Sequence, residues 1–410
     1  MTTPAMTTAS RTNAHVMNTY GRLPIAFTRG EGVWMWDESG RRYLDALAGI
    51  AVNTLGHAHP KLVRILQEQV GRLMHTSNLY RILEQERLAD RLAAVSGMDN
   101  VFFCNSGCEA NEAAIKIARL YGHNKGIDNP AIVVMEKAFH GRTLATLSAT
   151  GSRKAQAGFE PLVGGFVRVP FNDLESLRQV AAHNRNIAAV LVEPIQGEGG
   201  INISTMEYLR ALRRMCDERG WLLMVDEVQC GLGRTGAWFV YQHAGILPDV
   251  MPLAKGLGSG VPIGACLARG IAAETFKPGN HGSTFGGNPL AAAAGLATLN
   301  IIEEEGLMQN AERIGALLAD GLRTGLSGCS GVREIRGRGL MIGVELDYPC
   351  GELVARALEA GLLINVPMDT VIRLLPPLVM SESEAGQLLS ILVPLVKDFL
   401  AQAQPAVARA

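Results

Sequence analysis

The run LLMVDEVQCGLGRTG, residues 222–236, carries an apolar stretch into an aspartate, Asp226. A lone lysine, Lys255 in PLAKGLGSG, follows 29 positions later at the edge of a Gly-rich loop. A carboxylate beside a heteroaromatic nitrogen holds that nitrogen protonated and turns the ring into an electron sink. A lysine can hold an aldehyde as a Schiff base and then shuttle a proton. Pyridoxal 5′-phosphate chemistry requires both groups.

Three further segments could complete such a site. FFCNSGCEANEAAIKIAR, residues 102–119, reads as strand, Gly turn and helix, with Asn105 or Ser106 as the cap. The N–H groups near Ser106, Gly107 and Cys108 then point outward at a helix N-terminus, which is an anion site. Alone, the segment reads as a capped helix with Glu109 and Glu112 near its positive end; beside Asp226 and Lys255 a phosphate is the better reading. KAFHGRT, residues 137–143, sets Phe139 next to Arg142. Phe139 can lie flat on a heteroaromatic ring, and Arg142 can clamp a carboxylate with two parallel bonds, although a loop arginine by itself is more often solvated. VEPIQGEGG, residues 192–200, places Glu193 at a strand end and Glu198 in a Gly loop. The carboxyl edge of an open α/β sheet is the usual ligand crevice; the plain alternative is a loop acid in solvent.

Other chemistries fit less well. GLGRTG, residues 231–236, matches G-x-G-x-x-G after a strand. A dinucleotide site wants an acid ending the next strand about 20 residues on. Asp249 opens a strand instead, and Asp226 and Glu227 would repel a pyrophosphate. His57 and His59 lack a third ligand for a metal and read as helix-capping or solvated residues. Cys104 and Cys108 have no second pair, so no zinc site is expected. No Ser–His–Asp arrangement is visible.

These residues need a frame that brings strand ends together. Residues 29–47 read as a hairpin turning at Asp37–Gly40. Helices at 60–73 and 84–95, the strand 101–104, the helix 107–120, the strands 131–136 and 188–193, the helix 205–219 and the strand 221–226 then alternate, as in a mostly parallel sheet covered on both faces. From about residue 300 the pattern changes to a helix at 309–325, RGRGLMIGVEL, a helix at 351–360, GLLINVP, VIRLLPPL and a last helix. Ser381 to Glu384 form a capping box there, and Leu388, Leu392, Leu395 and Phe399 read as core. We therefore expect a large α/β domain over 60–299, and a smaller α/β domain made from 300–410 and the N-terminal segment 1–59.

At 410 residues the chain can bury a large core, and a net charge of −1 gives no footprint for nucleic acid or anionic membrane. No run of about 18 apolar residues exists to span a membrane. Seven cysteines, an odd number, argue for reduced thiols and a cytoplasmic setting. The Thr- and Ala-rich start lacks the apolar run of a secretory signal and reads as a frayed tail.

The motifs NSGCEANEA, FHGRT, VEPIQGEGG, DEVQCGLGRTG, AKGLGSG, GSTFGGNPL and VIRLLPPL, in this order over nearly the whole chain, resemble the class III aminotransferases of the fold type I pyridoxal-phosphate family. The resemblance implies that Lys255 holds the cofactor, Asp226 pairs with its ring nitrogen, Phe139 and Val228 cover its two faces, and Gln229 reaches its 3′-oxygen. It implies phosphate binding by Ser106, Gly107 and Cys108, with Thr284 reaching the phosphate of the neighbouring subunit, hence a homodimer with shared active sites. Arg142 would grip a distal carboxylate and Arg373 the α-carboxylate of glutamate. Glu198 would neutralise Arg373 when a terminal amine binds. Tyr20 and Ser283 would touch substrate. The likeness is strongest to members whose donor is N-acetylornithine and whose acceptor is 2-oxoglutarate. Ornithine, succinylornithine, succinyldiaminopimelate and 4-aminobutyrate are alternative donors, an aminomutase is an alternative reaction, and a non-catalytic binding protein would need neither Lys255 nor Asp226. The chain departs from the family at Pro252, where threonine is frequent, and at Leu83 and Glu84, where an acid and a proline are frequent.

Overall fold

Short apolar runs build the central sheet. In the computed structural model, which describes residues 15–407, seven strands lie in the order Asn100–Cys104, Gly264–Ala268, Val250–Leu253, Leu222–Val225, Ile187–Val192, Ala131–Met135 and Phe166–Val169. Gly264–Ala268 is antiparallel to both neighbours and the other six strands share one direction. Ala131–Met135 and Ile187–Val192 are buried at every position, as strands covered on both faces must be. Alternate residues face opposite layers. Ile132, Val134, Leu191 and Met224 pack on the helix Gly107–Asn124 through Ala114 and Ile117. Val133, Val190, Leu223 and Val225 pack on the helix Met206–Arg219 through Leu209 and Leu212.

A second, antiparallel sheet runs Val332–Arg338, Met341–Leu346, Val371–Leu374, Asn365–Met368. The N-terminal strands Phe27–Glu31, Trp34–Asp37 and Arg42–Asp45 form a third sheet, which Leu362–Leu363 joins in parallel. Leu44 and Leu55 thereby share one core with Leu318, Ile342, Leu374, Leu388 and Leu392. The terminal helix Glu382–Val407 opens on the expected cap: Ser381 N donates to Glu384 at 2.8 Å and Glu384 N donates to Ser381 Oγ at 3.3 Å. Leu388, Leu392 and Phe399 are buried, and Leu395 packs against the same core.

Several elements differ from the sequence reading. RGRGLMIGVEL is two strands turning at Gly339 (φ +53), and GLLINVP divides into Leu362–Leu363 and Asn365–Met368. The helix from Pro60 stops at Val70. Gly264–Ala268, GACLA, is a strand with no β-branched residue, so its propensity gives no sign of it. Pro252 lies inside Val250–Leu253, next to a ladder that reaches Leu222–Val225 only through Met224 and Val250. His57 and His59 cap no helix through their rings: His57 Nε2 meets Asp45 at 2.8 Å and His59 Nε2 meets Glu305 at 3.2 Å. The Thr- and Ala-rich start lies, over residues 1–14, outside the described residues. Among the described residues no helix is long and apolar enough to cross a membrane.

Candidate active site

The carboxyl ends of five parallel strands deliver the candidate residues to one place. Cys104 leads to Ser106, Met135 to Phe139, Val192 to Glu193, Val225 to Asp226, and Leu253 to Lys255. A cavity of about 320 Å³ opens there, lined by Ser106, Gly107, Cys108, Phe139, Asp226, Val228, Gln229 and Lys255 among others.

At one end is the N-terminus of the helix Gly107–Asn124. Ser106 has extended backbone (φ −154) and its Oγ accepts from Glu109 N at 3.2 Å. The Glu109 carboxylate in turn accepts from Asn105 N at 2.8 Å and Asn105 Nδ2 at 3.0 Å. First-turn N–H groups have no intrahelical acceptor, so those of Gly107 and Cys108 are available to an anion in the cavity. A Cβ on Gly107 would lie 2.8 Å from Val228 Cγ1, so only glycine lets the helix end approach the cavity wall.

Asp226 also lines the cavity, buried and held by three donors. Its Oδ2 accepts from Asn111 Nδ2 at 2.9 Å and from His140 Nδ1 at 2.8 Å, and its Oδ1 accepts from Val228 N at 3.0 Å. Asn111 and His140 went unassigned in the sequence. Asn111 lies one turn into the helix, where its Nδ2 also reaches Gly107 O at 3.1 Å, and His140 follows Phe139. The clue was a polar side chain aimed from a helix face at a strand end, a signal that spacing alone does not separate from an exposed position.

Lys255 opens a single 3₁₀ turn, Lys255–Leu257, in the left-handed region (φ +41). A Cβ on the following Gly256 would lie 2.3 Å from Thr54 Oγ1, so the turn packs directly on the Thr54 segment. Burial pushes the Lys255 ammonium below its ordinary value, with Arg373 adding to the effect and Glu198 opposing it. A neutral amine at that position can accept a proton. Burial also pushes Glu193 and Glu227 up to about 7. Glu193 accepts from Phe139 N at 2.8 Å and Gly197 N at 3.3 Å.

Beside the cavity, Arg373 Nη1 donates to Glu198 at 2.6 Å and to Gln229 Oε1 at 3.2 Å, and Nε donates to Asn365 Oδ1 at 3.1 Å. Arg373 is fully buried, and its Nη2 has no partner among the described residues. Burial would raise the Glu198 carboxyl, but Arg373 and Lys255 outweigh it and hold the group below the usual range. Three further candidates are exposed, and a fourth, Ser283, meets the cavity wall, where Asn105 Nδ2 donates to Ser283 Oγ at 3.3 Å. Arg142 is exposed, with its guanidinium 5.6 Å from the Phe139 ring centre. Tyr20 is exposed, and Ser283 and Thr284 lie on a surface loop that Asn78 holds through Ser283 O at 3.1 Å. GLGRTG builds no phosphate loop: Arg234 is buried and donates to the carbonyls of Leu340 and Pro376, both at 2.9 Å.

The aminotransferase class-III family model matches residues 16–396. The chain belongs to the class-III aminotransferases. It is 62% identical over 387 residues to the acetylornithine aminotransferase of Nitrosomonas europaea, covering 94% of this chain and 98% of that one. It is 52% identical to the acetylornithine aminotransferase of Gloeobacter violaceus, covering 94% and 97%. Among solved structures it is similar to the ornithine aminotransferase of Toxoplasma gondii ME49 (TM-score 0.91, 35% identity, covering 95% and 94%) and to the acetylornithine aminotransferase of Elizabethkingia anophelis (TM-score 0.83, 34% identity, covering 94% and 96%). Class-III aminotransferases are transaminases dependent on pyridoxal phosphate, and this fold type I member fits that cofactor. Its cavity presents an amine, a three-fold-held carboxylate, a helix N-terminus opening on a glycine whose Cβ would press on Val228, and an aromatic and an aliphatic side chain, Phe139 and Val228.

Proposed function

We propose that this class-III aminotransferase moves the terminal amino group of N-acetylornithine to 2-oxoglutarate, or runs the reverse, the acetylornithine transaminase reaction of arginine biosynthesis. The observation that carries the reading is the Glu198–Arg373 pair at 2.6 Å beside Lys255. One site must accept an α-amine with its adjacent carboxylate and a terminal amine without one. Arg373, with one nitrogen that has no partner among the described residues, takes the α-carboxylate of glutamate, and Glu198 neutralises Arg373 when a terminal amine enters. Arg142, exposed at the mouth, grips the distal carboxylate. Tyr20 and Ser283 complete the substrate contacts. Ornithine is the second reading, favoured by the 0.91 TM-score to an ornithine aminotransferase; the 62% identity to an acetylornithine aminotransferase supports the acylated donor over it.

Lys255 and Asp226 are the catalytic pair. Pyridoxal phosphate, when bound, takes amines on its aldehyde and accepts the electron pair left when a proton leaves the substrate carbon. Lys255 would hold that aldehyde, and Asp226 would hold the proton of the ring nitrogen. Phe139 and Val228 would cover the ring faces and Gln229 the 3′-oxygen. Ser106, Gly107 and Cys108 would bind the phosphate. Burial lowers the proton affinity of the Lys255 amine, which would serve as the one base that takes the proton from the substrate carbon in both half-reactions.

A homodimer follows from the same reading. Thr284 is exposed, on a loop with Phe285 60% exposed that Asn78, next to Leu79 at 87% exposed, holds through Ser283 O. A second copy would cover this patch and receive Thr284 at its phosphate. Residues 60–299 would form the cofactor-binding domain, and 1–59 with 300–410 the smaller one; the parallel pairing of Leu362 with Leu44 supports that grouping. Seven unpaired thiols support a cytoplasmic setting.

The test is absorbance of the lysine-bound cofactor on mixing with single amines. N-acetylornithine and glutamate should bleach it and 4-aminobutyrate should not. Bleaching by ornithine or 4-aminobutyrate ahead of N-acetylornithine would refute the donor assignment.

A further inference from the structure

One row of the C-terminal sheet carries two arginines. Arg336 is the register partner of Gly343, and Gly343 is the partner of Arg373 on the next strand. Directly opposed residues share a face, and strands lie about 4.8 Å apart. The two stems therefore leave the same side of the sheet about 10 Å apart. Gly343 leaves a gap between them that Ile201 fills: a Cβ at Gly343 would lie 3.0 Å from Ile201 Cβ.

Both guanidinium groups grip the loop of residues 197–201. Arg373 takes the Glu198 carboxylate at 2.6 Å. Arg336 donates from Nη2 to Gly200 O at 2.6 Å and from Nε to Ile201 O at 2.9 Å. Its remaining nitrogen, Nη1, is held by Glu345 at 2.5 Å and Glu334 at 2.8 Å. The loop needs such a hold. Ile201 is fully buried with φ +57, a conformation that is strained for a β-branched residue and persists only when its surroundings impose it.

We propose that Arg336 is a positioning residue for donor choice: it ties the Glu198 loop to the sheet that bears Arg373, so that uncovering Arg373 is a movement of the Glu198 side chain alone. The inference rests on the reading of Glu198 as the cover of Arg373. With Arg336 gone, the loop lifts and Arg373 stands uncovered in a larger fraction of molecules. Apparent affinity for an α-carboxylate scales with that fraction. Glutamate gains, while a terminal-amine donor loses the neutralised pocket. A planar guanidinium serves two carbonyls and two carboxylates at once, which a lysine ammonium cannot.

The experiment uses holoenzyme with Arg336→Met, which keeps the stem. Glutarate, a dicarboxylate with no amine, is titrated by calorimetry, and kcat/KM is measured for the glutamate and N-acetylornithine half-reactions. Glutarate should bind at least about fivefold tighter, and the glutamate to N-acetylornithine ratio should rise by at least about fivefold. Gly343→Ala, which pushes on Ile201 instead, should move both readouts the same way and covers the case in which Arg336→Met does not fold. In a Glu198→Ala background Arg336→Met should change neither. A merely structural arginine would lower both half-reactions together and leave glutarate unchanged. That result, with Glu198→Ala still shifting the ratio, overturns the role of Arg336 and spares the Glu198 cover. A ratio that moves in neither variant removes both.

Discussion

Glu198 and Arg373, 175 positions apart, meet at 2.6 Å on a guanidinium that is fully buried and still has one nitrogen without a partner among the described residues. A buried cation with spare donor capacity is set for a second carboxylate, and the first one is the competitor it must lose.

Replacing Glu198 with Ala removes that competitor. The ratio of kcat/KM for α-amino donors to that for N-acetylornithine should rise roughly tenfold, within the usual range of coupling between two sites. Single-donor half-reaction rates check it, and an unchanged ratio rules the cover out.

Asn111 and His140 hold Asp226 from two elements, at 2.9 Å and 2.8 Å. Each bond to a charged group contributes about 1.5–3 kcal/mol. Asn111→Ala or His140→Ala should therefore weaken cofactor retention by about tenfold to a hundredfold while the chain stays folded. Equilibrium dialysis of the apoprotein against pyridoxal phosphate measures this. Unaltered retention would mean that Asp226 needs no support.

Glu227 lies fully buried behind the site, accepting from Cys230 Sγ at 3.0 Å and Tyr241 N at 3.1 Å, and burial pushes it up to about 7. The folded protein thus holds a proton that the unfolded chain releases near 4.5. Its contribution to stability is full below that value and is lost as pH rises toward about 7, at most about 3 kcal/mol in all. Urea unfolding from pH 5 to 7.5 should show the native protein losing stability relative to Glu227→Gln. A constant difference between the two would place the carboxyl in its ordinary range.

The loop at Ser283–Phe285 should belong to a subunit interface. Phe285→Asp would set an unpaired charge in that interface, shift the protein toward monomer in sedimentation, and reduce cofactor retention because Thr284 then reaches no second site. Full cofactor binding by a monomeric Phe285→Asp protein would contradict the shared site.

The candidate cluster was readable because each of its members closely follows a short apolar strand. Parallel strands present such ends together, so Ser106, Phe139, Glu193, Asp226 and Lys255 could be gathered before any coordinates. The partners of Asp226 could not, since Asn111 lies 115 positions away and His140 lies 86. The helix Pro289–Glu304 went unread for a different reason. It is buried on nearly all sides, so no polar face marks its period, although Asn288 caps it through Ala291 N at 2.9 Å and Pro289 sits at its first position. The row Arg336–Gly343–Arg373 depends on strand register, which an apolar pattern does not specify for polar residues.

The central claim is that Lys255, buried in the same cavity as the Asp226 carboxylate, is the residue that carries the cofactor. Borohydride reduction of the holoenzyme followed by peptide mass spectrometry tests it directly. We predict the reduced cofactor mass on the peptide containing Lys255 and on no other lysine. The same mass on Lys137 or Lys116, or an unmodified Lys255 in protein that retains cofactor, would contradict it.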